Sequence, residues 1–292
     1  MKKHILLITL LFFTIQSFSQ EEESKLGWNT DGIITFLFNQ SAFSNWVAGG
    51  ENNVAGNLNV NYNFNYTAEN HTWDNRILAS YGITKSKNSP FTKKTDDRLE
   101  FNSLYGKQAS KNWFYSAFLN FKTQFTKGYN YSKDENGKEI RDEYTNFLSP
   151  AYLTFGPGML WKKSDNFKIN LAPATAKFTF VDDYFTTTPN YVDGDYFGID
   201  EGENSRFELG FNASMFAKFN LFENVSMENI LNLYSNYLED PENVDLDYTM
   251  NMVMSINKFL SANIIFQTIY DDNAYEGFQV REVFGLGINY KF

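Results

Sequence analysis

The stretch Asn57 to Thr67 reads Asn-Leu-Asn-Val-Asn-Tyr-Asn-Phe-Asn-Tyr-Thr. Successive side chains of an extended strand point to opposite faces, so a period of two sorts these residues into two rows. Leu58, Val60, Tyr62, Phe64 and Tyr66 form an apolar row, and Asn57, Asn59, Asn61, Asn63 and Asn65 an amide row. A helical period would mix the two rows around its circumference. The segment is therefore a strand with an apolar environment on one side and a polar one on the other.

The same period recurs. Trp73, Ile77, Ala79, Tyr81 and Ile83 oppose Asp74, Arg76, Ser80 and Thr84; Leu99, Phe101 and Tyr105 oppose Arg98, Glu100 and Asn102. Comparable rows run through 113–125, 207–217, 246–256 and 280–292, and weaker ones through 32–40, 147–161, 166–180, 225–237 and 259–270. The expectation is an all-β chain forming a single antiparallel transmembrane barrel of about twelve strands. Many segments reach ten residues, long for a soluble sheet and suited to a tilted membrane strand. Connections alternate between short ones near 68–71, 109–112, 162–166, 220–224 and 257–258 and longer ones near 41–53, 85–97, 127–146, 181–205, 238–243 and 271–279. Short periplasmic turns and long external loops are the rule for bacterial barrels. Aromatics cluster beside the short turns (Tyr66 and Trp73, Tyr105 and Trp113, Trp161 and Phe167), as in an interfacial girdle. Two features run against the pattern. Leu78, Leu104, Phe114, Phe118 and Ile230 fall on the polar row, and Pro150, Pro157 and Pro173 interrupt strands in which proline cannot donate to the ladder. Gly156-Pro157-Gly158 is the expected position of a bulge.

The chain begins with Lys2, Lys3 and His4, then a mostly apolar run from Ile5 to Phe18, with Ser17 and Ser19 ahead of Gln20. That is the layout of a secretory signal peptide over 1–19, leaving 20–292 as the barrel. There is no cysteine, which excludes disulfides, thiolate zinc sites and a lipid anchor on Cys. The net charge of −10 becomes about −12 without Lys2 and Lys3, the opposite of a nucleic-acid footprint. No later apolar run reaches the length of a spanning helix.

Four segments carry a family resemblance: Phe43-Ser44-Asn45-Trp46-Val47-Ala48-Gly49-Gly50, Leu148-Ser149-Pro150-Ala151-Tyr152-Leu153-Thr154-Phe155-Gly156, Leu171 to Val181, and Val244-Asp245-Leu246-Asp247-Tyr248. Together they resemble the Bacteroidota proteins grouped as domain-of-unknown-function family 3078. The resemblance implies an outer-membrane barrel and no assigned activity. The final Tyr290-Lys291-Phe292 is similar to the aromatic-ended last strand that the barrel-assembly machinery recognises, marking Tyr290 and Phe292 as an assembly signal.

Chemistry is sparse. Ser–His catalysis needs a base beside the hydroxyl, and beyond the leader the chain has a single histidine, His71, next to a short turn. The expectation is a protein that is not an enzyme and has no cofactor. The residues expected to line the lumen are the asparagine row Asn57, Asn59, Asn61, Asn63 and Asn65 together with Arg76, Arg98, Glu100, Arg206, Glu208 and Arg281. The Arg-x-Glu spacing puts both charges on one face, fitting either a charged constriction or a salt-bridge network that stiffens a narrow barrel. Phe43, Trp46, Gly49 and Gly50 form a candidate rim loop that either folds inward or packs on the rim. Asp182, Asp183, Asp193, Asp195, Asp200, Glu201 and Glu203 crowd one external loop, either as a Ca²⁺ ligand set or as an acidic solvated loop. The expected partners are outer-membrane lipid, the assembly machinery and other outer-membrane proteins, and no nucleic acid. Two functions fit: a narrow passive pore for small solutes or ions, or a non-transporting accessory subunit of a larger outer-membrane assembly or secretion complex.

Overall fold

The computed structural model describes residues 26–44, 47 and 50–292; the expected leader over 1–19, Trp46 and Gly49 lie outside the described residues. The strands are β1 (Gly27–Ser41), β2 (Asn53–Thr67), β3 (His71–Ser86), β4 (Lys93–Ser110), β5 (Trp113–Thr123), β6 (Gly128–Lys133), β7 (Glu139–Thr145), β8 (Ala151–Ser164), β9 (Phe167–Phe180), β10 (Ser205–Phe222), β11 (Val225–Asn236), β12 (Val244–Ser255), β13 (Leu260–Asp271) and β14 (Tyr275–Lys291). All except β6 and β7 join one closed barrel of twelve antiparallel strands, each beside its sequence neighbour, with β5 next to β8. Closure comes from β1 and β14, in register from Ile33↔Lys291 to Phe38↔Leu286. Two backbone bonds extend the seam: Gly32 N donates to Phe292 O at 2.8 Å and Phe292 N to Gly32 O at 3.0 Å. The seam leaves the sheet without a free edge, the condition for burying strands in an apolar solvent.

Exposure follows the alternation. Leu58 is 45% exposed beside Asn57 at 5%, and Ile288 59% beside Asn289 at 7%. The outward face is thus a surface of Phe, Leu, Ile and Tyr, while amides and charges turn inward. Trp28 packs on Tyr66 and Trp73 with ring centroids 5.3 and 5.8 Å apart, and Trp113 pairs in register with Trp161, itself 5.6 Å from Phe167. This aromatic belt circles the end that carries the short turns and the end of β14.

Three of the expected long connections contain more backbone pairing than the pattern revealed. Residues 127–146 hold the hairpin β6–β7, β4 starts within 85–97, and the last connection shrinks to 272–274. Past the apolar band a strand has water on both faces, so alternation is lost while ladder hydrogen bonds persist. Glu139-Ile140-Arg141-Asp142-Glu143 on β7 shows this, with polar groups on both sides.

The bulge lies at Gly156-Pro157-Gly158. Register with β9 jumps there from Phe155↔Ala176 to Met159↔Leu171. The β9 backbone closes so tightly that a Cβ on Gly156 would sit 2.6 Å from Ala174 O, and one on Gly158 2.5 Å from Leu171 O. Pro157 and Pro173 fall where the β8–β9 ladder is interrupted, so neither deprives it of a bond.

Candidate functional site

The site is the lumen. Twelve strands lie between a barrel that side chains fill and one that leaves an aqueous channel, so the inward residues decide which this is. A cavity of about 700 Å³ runs along the axis, lined by Asp165, Asn166 and Lys218 at the short-turn end and by Tyr144, Phe197 and Ala274 at the long-loop end.

Charged layers cross it. At the short-turn end Asp74 accepts from Lys162 at 3.0 Å and Lys168 at 2.6 Å, and Thr72 Oγ1 donates to the same carboxylate at 3.0 Å. One layer further, Arg76 on β3 pairs with Glu228 on β11. These strands are six positions apart in a ring of twelve, so the ion pair reaches from one wall to the opposite one. Arg76 Nε also donates to Asn61 Oδ1 at 2.9 Å, and its guanidinium lies 5.5 Å from the Phe216 ring centre, as does the Lys168 ammonium. At this level the wall turns apolar, with Leu78, Leu104 and Phe118 on one side and Phe216 and Ile230 on the other.

Beyond that belt Glu100 accepts from Arg98 Nε at 2.6 Å and from Asn102 and Asn120 at 2.8 Å each. Lys122 bridges to Asp247 at 2.7 Å, and Arg281 to Asp96 at 2.6 Å. Asn57 donates to Asp96 at 3.0 Å and Asn59 to Asn57 at 2.5 Å. Near the long-loop end Lys177 touches Asp245 at 2.9 Å and Glu208 at 3.2 Å, while Arg206 reaches Glu239 at 2.6 Å and Glu208 at 3.6 Å. Buried charges are tolerable only when paired, and each cation named here has its carboxylate.

The arginines Arg76, Arg98 and Arg206 picked from sequence pair with Glu228, Glu100 and Glu208, and the asparagine row finds further partners. Asn63 donates to Asp31 at 2.9 Å, and Asn65 Oδ1 accepts the Asn75 backbone N–H at 2.9 Å. The expected Arg-x-Glu pairs form within β4 and β10, and Asp74 of the polar row on β3 pairs with two lysines. Lys162, Lys168, Lys177 and Asp96 each also meet a partner on a non-adjacent strand, far away in sequence, which no local pattern marks. Phe43 and Gly50 pack on each other in the first long loop, a Cβ on Gly50 lying 2.9 Å from the Phe43 ring. Neither lines the cavity. His71 sits at the first short turn, its ring centre 6.4 Å from that of Tyr105.

Loop 181–204 forms a small domain-like cap. The short helix α1 (Asp183–Thr186) is capped by Asp182, whose carboxylate accepts the Tyr184 N–H at 3.0 Å. That bond, with Asn146 Nδ2 at 3.1 Å, holds the Asp182 carboxyl below its ordinary range. Val181, Phe185, Tyr196 and Ile199 form a core, joined by Tyr144, Tyr191 and Phe197. Tyr196 Oη donates to Tyr144 O at 2.6 Å, and burial pushes both phenols above their usual value. Phe197, at φ 54°, meets Tyr152 and lines the outer end of the cavity. The loop's acidic residues stay apart: Asp193 accepts the Glu201 N–H at 2.8 Å while Asp182 caps α1. Among the described residues the carboxylates that do gather are Asp245, Asp271 and Asp272, with oxygens within 4.8 Å of one another.

Residues 38–129 match the model of the family described as Protein of unknown function (DUF3078). The match contains the Phe43–Gly50 segment; the other three segments of the resemblance lie beyond it. No curated protein matches the chain. Among solved structures it is similar to the translocator domain of the autotransporter NalP from Neisseria meningitidis, at 8% identity and TM-score 0.40, covering 100% of this chain and 98% of that one. It is also similar to an outer membrane channel from Pseudomonas putida F1, at 11% identity and TM-score 0.41, covering 94% and 98%. A third likeness is to the β domain of the Bordetella autotransporter BrkA, at 11% identity and TM-score 0.35, covering 90% and 99%.

Proposed function

We propose that this chain is a non-enzymatic barrel of the bacterial outer membrane and a narrow passive pore for small solutes or ions. The outward apolar face and the aromatic belt beside the short turns support membrane insertion, with the short turns in the periplasm. The observation that carries the pore reading is the cavity of about 700 Å³, walled by amides and charges on either side of an apolar belt and reaching residues at both ends of the barrel. Such a wall solvates a passing ion or polar solute, because its side chains donate and accept in turn. Passage is narrow where Arg76 meets Glu228 across the lumen. Purified protein in planar lipid bilayers is expected to give small, discrete conductance steps; their absence at every voltage and salt concentration sinks the pore reading.

A second reading draws on the same layer. Transverse ion pairs and the belt of Leu78, Leu104, Phe118, Phe216 and Ile230 also suit a barrel filled for rigidity, serving as an accessory subunit of a larger assembly. That reading predicts stoichiometric partners when the tagged protein is extracted from its own membrane in mild detergent. A lone barrel rules it out. In either case the aromatic end of β14 would serve as the signal read by the assembly machinery.

A further inference from the structure

Most charges along the lumen are paired before the long-loop end; at the short-turn rim Lys218 and Asp31 line the cavity without an ion pair among the described residues, and their opposite signs offset one another. The deeper cations Lys162, Lys168, Arg76, Arg98, Lys122 and Arg281 each sit on a carboxylate. At the mouth the balance changes. Lys177 and Arg206 are the cations there, facing Glu208, Glu239, Asp240, Asp245, Asp271 and Asp272. Asp271 and Asp272 have no ion pair among the described residues; Asp272 accepts only from the Asn243 amide, and Asp271 Oδ1 is buried without a hydrogen-bond partner.

An independent feature points the same way. Tyr234 is 7% exposed and lines the cavity, its ring lying under the Lys177 ammonium at 4.9 Å. It stands opposite Asp245 in register, and its hydroxyl has no partner. An unsatisfied hydroxyl oxygen can replace water around a cation, and carboxylates without an ion pair attract a cation and repel an anion.

We propose that this mouth makes the pore cation-selective, with Asp271 and Asp272 as the specificity-determining residues and small monovalent cations, K⁺ or a small ammonium ion, as the preferred solutes. The proposal rests on the pore reading above. Fixed charge at one mouth raises the local concentration of the opposite ion over about a Debye length, near 10 Å at 0.1 M salt. Selectivity is therefore strongest in dilute salt.

The test is the reversal potential of the whole purified protein in planar bilayers under a KCl gradient. Wild type is expected to favour K⁺ over Cl⁻ by more than about threefold at 0.1 M, falling toward unity at 1 M. D271N/D272N, which keeps shape and removes charge, is expected to lose most of the preference while still conducting. E135Q, at the exposed tip of the β6–β7 hairpin, is expected to keep it. Conductance with no preference, or with preference for Cl⁻, overturns this inference and leaves the pore standing. No conductance at all removes both. If the double variant fails to insert, D272N and the wild-type reversal potential give the decision.

Discussion

Single residues set the width of the lumen. Arg76 and Glu228 are both largely buried, and removing one partner leaves the other uncompensated. Glu228→Ala is expected to destabilise the barrel by about 3 kcal/mol, read as a lower urea midpoint in lipid vesicles, and to raise single-channel conductance. A loss of stability with unchanged conductance would mean the pair stiffens the wall without narrowing the path. Tyr196 offers a pH test in the cap over 181–204. Burial raises its phenol above the ordinary value of 10, so the folded loop favours the neutral form. Its contribution is fully present below about pH 10 and is lost as pH rises through the higher folded-state value. Protease cutting within 181–204 is therefore expected to accelerate above pH 10, and Tyr196→Phe to flatten that rise at a cost of about 1 kcal/mol for the lost bond to Tyr144 O.

At the scale of elements, the seams between strands are the vulnerable places. The β8–β9 contact admits no side chain at Gly158, whose Cβ would meet a backbone oxygen at 2.5 Å. Gly158→Val is expected to prevent closure at that seam, seen as loss of the heat-modifiable folded band on gels. Gly137, in the β6–β7 turn with open space around it, is a better tolerated site for comparison, although its φ of 76° still disfavours a branched residue. The β1–β14 seam depends on Phe292, whose ring covers Gly32 and stacks on Tyr62 at 5.8 Å. Phe292→Ala keeps the two backbone bonds and removes the cover, so a lower folded fraction at unchanged secondary structure is expected on refolding into detergent. The hairpin β6–β7 docks on the neighbouring loop through Arg141, sandwiched 4.8 Å from the Phe91 ring and 4.1 Å from the Tyr129 ring.

For the whole molecule, the two faces of the sheet exchange the usual roles, with apolar side chains outside and a polar network within. The consequence is a chain held by paired charges and ladders around a cavity rather than by an apolar core; among the described residues the compact cluster of buried apolar side chains belongs to the cap over 181–204. The cap and the charged mouth share the long-loop end, so in the proposed pore both solute choice and access would lie on the same side of the barrel.

The sequence by itself determined the twelve barrel strands, the apolar face of those with clear alternation, the alternation of short and long connections up to the last, which is as short as a turn, and the position of the β8–β9 bulge. Each of these depends on residues close together in the chain: a period of two, a glycine-proline run, a gap between rows. Only the tertiary structure decided which charges meet. Arg76 and Glu228 are 152 positions apart, and Lys122 and Asp247 125, and nothing local to either residue names its partner. The hairpin β6–β7 and the gathering of Asp245, Asp271 and Asp272 belong to the same class. Outside the apolar band the environment no longer differs between the two faces of a strand, so the pattern that made the barrel legible carries no information there.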